Sequence, residues 1–151
     1  MSRIFVLLVV YQLKHFLADY PLQRPWMLGK FKAGWGFVAP LAAHCIVHAL
    51  ITFAIARFFA QTPTAIGLAV FDFAMHFLMD RIKASPKLMG RWHALSPLDW
   101  KLCMNGKDHP ETAATAKAKL RGNRLFWHAI GFDQMVHHLT HYAIIAWLVA
   151  K

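Results

Sequence analysis

The sequence predicts an all-α polytopic membrane protein, a four-transmembrane-helix bundle that forms a single domain over residues 1–151. Composition is the first observation behind this prediction, because 58% hydrophobic residues, 16% charged residues and a mean hydropathy of +0.37 are typical of membrane proteins. The second is the pattern of four apolar segments, each near the ~20 residues that span a hydrocarbon core. The segments cover about residues 3–20, 37–60, 64–84 and 125–150.

The first segment has the character of a signal peptide, since Arg3 precedes the apolar run Ile4–Val10. No small-residue cleavage site follows this run, so we interpret the segment as a retained helix that ends at Pro21. Lys14 lies within it, about 100° around the helix from His15. We expect the Lys14 ammonium group to extend toward the lipid headgroups.

The later segments and the connection between them carry their own signals. Pro40 in the second segment is tolerated because it falls in the first turn of a helix. The third segment leaves the membrane at Arg81 and Lys83. Residues 85–124 then form a predicted cytoplasmic cap, in which we expect an amphipathic piece lying on the membrane surface and a short helix over PETAATAKAKLR.

The net charge of +10 is distributed unevenly along the chain. Thirteen of the 17 Lys and Arg residues lie in or at the edges of two connections, one between the first and second segments and one between the third and fourth. With four spans these connections share one side, so the positive-inside rule places them in the cytoplasm and both termini outside, as in a multi-pass protein of the bacterial inner membrane. Orientation and attraction to anionic headgroups of the lipid bilayer explain the basic residues, and we expect no nucleic-acid partner.

Ionisable residues recur at helical spacing inside the apolar segments. In FDFAMHFLMD, residues Asp72, His76 and Asp80 are four positions apart, so they share one face of the third helix. Charged groups at membrane depth cost at least ~2.5–3.5 kcal/mol each, and they normally face a bundle interior or a water-filled cavity. The other three helices carry the sets His15/Asp19, His44/His48 and Asp133/His137/His141.

The predicted topology brings these four sets to one level, because a rise of 1.5 Å per residue places His15, His44, His76 and Asp133 roughly 7–14 Å below the cytoplasmic boundary. His and Asp side chains on facing helices can form a dinuclear metal site. Nitrogen and oxygen ligands suit zinc, manganese or iron, and the chain has only two cysteines, too few for a Cys-rich motif. We therefore expect two divalent metal ions, with ligand candidates His15, Asp19, His44, His48, Asp72, His76, Asp80, Asp133 and His137.

Charged residues in and beside this set have further predicted roles. Asp72 or Asp133 could act as a general base in catalysis. Arg81 and Lys83, at the mouth of the site, could bind a phosphate or carboxylate headgroup, although anchoring at the interface explains these two cations equally well. Two further histidines adjoin the stripe on the fourth helix, His138 beside it and His141 deeper in the membrane.

Four motifs carry a resemblance to a known family: HFLADYPLQ at 15–23, HCIVH at 44–48, HFLMDRIK at 76–83 and DQMVHHLTH at 133–141. With these motifs in this order, the chain resembles the bacterial and phage membrane family catalogued as domain of unknown function 3307. The resemblance implies a small polytopic membrane protein and brings no established activity. In its His and Asp pairs alone, the chain is also similar to membrane-bound metal-dependent hydrolases.

The motifs HCIVH and HHLTH are similar to the histidine boxes of membrane di-iron desaturases and hydroxylases. Those enzymes carry more histidine residues than this chain. Here Asp residues replace much of the histidine that such motifs would contain. From the residues and the resemblances together we expect a membrane-embedded metal-dependent hydrolase that acts on a lipid-linked or membrane-proximal, small anionic substrate. A di-iron oxygenase, an ion or proton transport protein and a purely structural component stay open as alternatives, as does assembly into a homo-oligomer.

Overall fold

The protein is described by a computed structural model that covers residues 2–32, 34–84, 111, 114–115, 118 and 121–150. Its described part is built from helices: α1 (Arg3–Asp19), a 3-10 helix (Pro25–Phe31), α2 (Val38–Arg57), α3 (Thr62–Ala84) and α4 (Arg124–Val149). The four long helices begin and end within three residues of the four predicted apolar segments. The predicted all-α fold is therefore confirmed.

Local sequence signals explain where the helices begin. The Ser2 hydroxyl accepts a hydrogen bond from the backbone N–H of Phe5 at 3.3 Å, which caps α1. Asn123 caps α4 in the same way, since its side-chain oxygen accepts from the backbone N–H of Phe126 at 3.1 Å. These oxygens pair N–H groups that have no partner inside the first turn of a helix. In α2 the first turn contains Pro40, where a missing N–H costs little.

Cross-helix contacts define an up-and-down bundle. At one end of α1 the Arg3 guanidinium lies 4.8 Å from the centre of the Phe59 ring, and at the other end Asp19 contacts His48, so α1 and α2 are antiparallel. For each of three other helix pairs, two contacts follow opposite chain order on the two helices. They show that α3 is antiparallel to α2 and to α4, and that α4 is antiparallel to α1. Each helix thus packs against two antiparallel neighbours, as in four-helix bundles with short loops.

The core of the bundle has an apolar half and a polar half. The apolar half lies at the end of the bundle that holds the start of α1 and the end of α4, and its buried residues are Leu7, Tyr11, Ala56, Ala65, Ile144, Ile145 and Leu148. The polar half lies toward the 3-10 helix and contains buried His, Asp and Lys side chains. Ionisable groups are therefore concentrated in one half of the interior.

The 3-10 helix packs against the start of α2 and closes the polar end of the bundle. A Cβ atom at Gly29 would lie 3.0 Å from Cγ of Pro40, so this close approach favours glycine. The tight packing of the 3-10 helix also places the neighbouring Lys30 side chain in the interior, where it is buried.

Two helices, α2 and α3, are long and apolar enough to cross a membrane, judged by length and composition. The sequence predicts four transmembrane spans, but α1 and α4 do not meet this criterion of length and composition. α1 has 17 residues, the lower limit for a span. α4 is longer, but Asp133 and four histidines lower its hydropathy.

The predicted cytoplasmic cap is described in part. The amphipathic piece expected before residue 111, with its histidines His93 and His109, lies outside the described residues. Within the predicted PETAATAKAKLR helix, the described residues Glu111, Ala114, Thr115, Ala118 and Arg121 are helical.

Candidate metal centre

The nine predicted ligand side chains all lie in the polar half of the bundle. Eight of them are buried, and Asp19 is half-buried. His141, which the sequence placed deeper, is also fully buried and joins the same cluster. Ionisable groups out of water are costly unless they pair with one another or with a metal. The structure therefore brings every predicted ligand into one interior region.

His76 lies in the middle of this region, with its ring centre 3.9 Å from that of His48 and 4.1 Å from that of His137. Its Nδ1 atom donates a hydrogen bond to the backbone carbonyl of Asp72 at 2.9 Å. Because a carbonyl can only accept, the proton of a neutral imidazole sits on Nδ1 and leaves Nε2 as a lone pair. That Nε2 atom is buried and has no hydrogen-bond partner among the described residues.

Three sets of His and Asp residues around His76 have ligand atoms that lie within 4.8 Å of one another. Each set shares a histidine with both of the others, so they describe one site rather than three. The sets are His15–His76–His141, His15–Asp19–His48 and His48–Asp72–His76. We call their members together the histidine centre: His15, Asp19, His48, Asp72, His76 and His141.

Asp19 orients two of these imidazoles. The Nε2 atoms of His15 and His48 lie 3.1 and 3.0 Å from the Asp19 carboxylate oxygens. The Nδ1 atoms on the far side of both rings are buried and accept no hydrogen bond from the described residues. A carboxylate that holds one ring nitrogen and frees the other for a metal is the usual support for ligand histidines.

His44 contacts Asp19 from α2 without belonging to the three sets. Its Nε2 atom lies 3.4 Å from Asp19 and 3.5 Å from Asp80. His44 therefore connects the histidine centre to a second group of ionisable residues nearer the end of the bundle.

The second group consists of Asp80, Asp133 and His137, whose ligand atoms also lie within 4.8 Å of one another. We call it the carboxylate centre, and it shares no residue with the histidine centre. The Lys83 ammonium lies 2.7 Å from an oxygen of Asp80 and 2.7 Å from an oxygen of Asp133. Lys30 pairs with the other Asp80 oxygen at 2.8 Å. Two lysines therefore neutralise the two carboxylates.

The expectation that Lys14 extends to the headgroups is wrong. This side chain is 2% exposed, and its Nζ atom lies 2.7 Å from Asp72 Oδ2 and 3.0 Å from Nε2 of His141. The Thr52 hydroxyl donates to the same Asp72 oxygen at 2.8 Å. A buried ammonium is stable here because it meets a carboxylate and a ring nitrogen.

Sequence reasoning missed Lys14, Lys30 and Thr52 as members of the site. A signal for Lys14 exists, since it follows Leu7 by seven positions and Tyr11 by three, the spacing of one buried helix face. No local signal marks Lys30, because its burial follows from how the 3-10 helix folds back on the bundle.

Two other predicted residues lie at the edge of the site. The Arg81 guanidinium lies 3.7 Å from the centre of the Phe37 ring, a cation–π contact at the end of α3. His138 is half-buried, and its Nδ1 atom lies 3.3 Å from the side-chain nitrogen of Gln12 on α1. The role of Arg81 in headgroup binding stays a prediction.

A partly open pocket of about 280 Å³ reaches the carboxylate centre. Its walls include Leu28, Phe31, Phe126 and Ile130, and its polar lining includes Asp19, Gln23, Lys30, Asp80, Lys83, Asp133, Gln134 and His137. The volume is near the lower end of ligand pockets, so it matches a headgroup or a small molecule.

A protein-family model described as "Protein of unknown function (DUF3307)" matches residues 4–150. The chain belongs to the DUF3307 family. The match includes every residue of the histidine and carboxylate centres, and it confirms the resemblance carried by the four sequence motifs. Comparisons of this DUF3307 chain with curated proteins and with solved structures give no match. The similarity to membrane-bound metal-dependent hydrolases stays a prediction.

Proposed function

We propose that this DUF3307 protein is a membrane-embedded metal-dependent hydrolase, with a divalent ion at the histidine centre and a substrate that enters through the pocket. One observation carries the proposal. The Nε2 atom of His76 is buried and unpaired within the described structure, and in a neutral ring with its proton on Nδ1 it carries a lone pair. His76 also belongs to two of the three overlapping ligand sets. A buried ring nitrogen without a partner is unfavourable, and a metal ion satisfies it.

The residues of the histidine centre fit a divalent cation. They offer imidazole nitrogens and carboxylate oxygens, the donors that suit zinc, manganese and iron. With neutral histidines, Asp19 and Asp72 carry two negative charges against one positive charge on Lys14, so the centre favours a cation. When bound, such an ion supplies an activated water at neutral pH and polarises a carbonyl or phosphoryl oxygen.

Asp133 is better placed than Asp72 to act as the general base. It lines the pocket, where Lys83 contacts its Oδ2 atom at 2.7 Å and Nε2 of His137 lies 3.2 Å from its Oδ1 atom. Asp72 lies outside the pocket lining, and Lys14 and Thr52 hold its Oδ2. We therefore assign proton transfer to Asp133 and metal binding to Asp72.

The outer surface supports a bundle in which all four helices cross the membrane. Phe5 and Phe16 on α1, and Trp127 and Leu139 on α4, are about half exposed or more. The buried ionisable residues of these two helices are Lys14, His15, Asp133, His137 and His141. Large apolar side chains outside and charges inside suit lipid as the surrounding solvent. We propose a multi-pass protein of the bacterial inner membrane with the polar end toward the cytoplasm and both termini outside, because the basic connections lie at this end.

The pocket points to an amphiphilic substrate with a small headgroup. Apolar side chains form its walls and ionisable groups its polar lining. The 3-10 helix contributes Leu28, Lys30 and Phe31 to this lining and also carries the exposed Trp26. Tryptophan at this position suits the lipid–water interface. A lipid-linked ester or phosphate could place its apolar part along the walls and its headgroup at Asp133.

Ion passage and oxygen chemistry are the alternatives. The apolar cluster that contains Leu7, Ile144 and Leu148 occupies the half of the core beyond the histidine centre, which disfavours a polar path through the bundle. A di-iron oxygenase would use similar nitrogen and oxygen donors, so the metal and the need for oxygen separate it from a hydrolase.

The test uses the full chain in lipid nanodiscs, stripped with a chelator and reloaded with zinc, manganese or ferrous iron. We expect metal-dependent, oxygen-independent hydrolysis of a lipid phosphate or lipid ester in a defined panel. Asp133→Asn should keep the metal and lose activity by about 10²–10⁴-fold. Oxygen-dependent turnover with iron only, or pH-dependent ion flux in liposomes without stoichiometric metal, would overturn the proposal.

A further inference from the structure

We infer that the protein binds one divalent ion, at the histidine centre, and that the Lys83 ammonium holds the second cation position, between Asp80 and Asp133. The inference rests on the proposed metal-dependent function and changes its metal count from two ions to one ion plus one lysine. The two centres differ in geometry, in charge and in unpaired atoms. All three differences favour the histidine centre as the place where the metal ion binds.

The geometry at the carboxylate centre is that of a bridging cation. Lys83 Nζ lies 2.7 Å from Asp80 and 2.7 Å from Asp133, on one oxygen of each. In helix bundles that bind metal through carboxylates, a metal ion takes the place between inward-facing carboxylates of facing helices. Here an ammonium that belongs to the chain already occupies it, and its three N–H donors suit two carboxylate oxygens at hydrogen-bond distance.

The charge balance separates the two centres. At the carboxylate centre, Lys30 and Lys83 cancel the charges of Asp80 and Asp133 when His137 is neutral. At the histidine centre, Lys14 cancels only one of two carboxylate charges. A divalent ion at the carboxylate centre would meet two ammonium groups, whereas at the histidine centre it would meet a net negative charge.

The unpaired atoms also favour the histidine centre. Its histidines each leave one buried ring nitrogen without a hydrogen bond from the described residues, on His15, His48, His76 and His141. At the carboxylate centre, His137 Nδ1 and Asp133 Oδ1 are also without a hydrogen bond from the described residues, but both Asp80 oxygens and Asp133 Oδ2 contact lysines. A metal would therefore gain new ligands at the first centre and displace existing ion pairs at the second.

Lys83 then acts as a positioning residue for Asp133. The ammonium contacts Oδ2 at 2.7 Å, while Oδ1 lies 3.2 Å from Nε2 of His137, so the orientation of the carboxylate is set from both sides. The half-buried lysine also lines that pocket, so it lies beside the substrate headgroup without leaving its two carboxylates.

The experiment counts metal by elemental analysis after equilibrium dialysis of nanodisc-embedded protein against zinc, with protein concentration from amino-acid analysis. We expect one zinc per chain in the wild type and two in Lys83→Met, because removal of the ammonium exposes both carboxylates. Lys83→Arg, which keeps the charge, and Lys32→Met, which removes an exposed lysine, should each stay at one.

Two further counts keep the test decisive if Lys83→Met does not fold. Asp133→Asn should still bind one zinc, because the ion is held at the other centre, and His76→Ala should bind none. Two zinc ions in the wild type, one in a folded Lys83→Met, or loss of the ion in Asp133→Asn would overturn the inference while leaving a metal enzyme in place. A wild type that binds no stoichiometric zinc, manganese or ferrous iron, after dialysis against each in turn, would instead overturn the proposed function itself.

Discussion

The ammonium of Lys14 donates a hydrogen bond to Asp72 Oδ2 over 2.7 Å, and the two residues are 2% and 0% exposed. This ion pair joins α1 to α3 inside the bundle. It also leaves the second Asp72 oxygen directed toward the histidines, 3.2 Å from His76 and 3.7 Å from His141. The same ion pair therefore holds two helices together and orients an Asp72 oxygen toward the histidine centre.

Substitution of Lys14 by Met should lower the free energy of unfolding by about 3–5 kcal/mol, because it leaves the buried Asp72 carboxylate without its counter-ion. The measurement is denaturant unfolding in detergent micelles with chelator present, so that metal binding does not contribute. The double variant Lys14→Met, Asp72→Asn should lose less than Lys14→Met alone, since it removes the unpaired charge.

Lys32→Met is the matched control for this prediction, because Lys32 is an exposed lysine in the connection after the 3-10 helix. It should unfold like the wild type. If Lys14→Met also unfolds like the wild type, the Lys14 side chain does not carry a buried charge.

Substitution of His76 by Ala should abolish stoichiometric metal binding, because His76 belongs to two of the three ligand sets of the histidine centre. Elemental analysis of protein purified without chelator measures the effect. His128→Ala, which changes an exposed histidine on α4, should keep the full metal content. Equal metal in both variants would exclude the histidine centre as the binding site.

Substitution of Ile130 by Phe should weaken substrate binding, because a larger side chain on the wall reduces a pocket of only about 280 Å³. Overpacking of this kind costs ~1–3 kcal/mol, so we expect KM to rise by about tenfold or more with the metal content unchanged. Leu139→Phe, at an exposed position on the same helix, should leave KM as it is. A rise in KM for both variants would show that the effect of Ile130→Phe does not come from the smaller pocket.

A carboxylate on the outer face of α1 should impair membrane insertion. Val9 is exposed in the bundle and lies near the middle of α1, so Val9→Asp would place a charge in lipid at a cost of at least ~2.5–3.5 kcal/mol. The fraction of protein that resists carbonate extraction measures the effect, with Val9→Leu as the control. Full insertion of Val9→Asp would argue against α1 as a transmembrane helix.

The sequence was sufficient to predict the four long helices and the histidines and aspartates that face inward. An apolar segment leaves few alternatives to a helix, and a spacing of four residues places Asp72, His76 and Asp80 on one face whatever surrounds them. Burial of ionisable groups in an otherwise apolar chain also requires that they meet one another. For these reasons the nine ligand candidates are found together in the polar half of the core.

Only the tertiary structure shows how the ligand candidates are divided between two centres. The separation into a histidine centre and a carboxylate centre depends on which side chains meet across helices, and helical periodicity does not contain that information. It also decided that Lys14, Lys30 and Lys83 pair with the carboxylates. A long flexible side chain can reach either lipid headgroups or a buried carboxylate, and only the position of the partner determines which contact it makes.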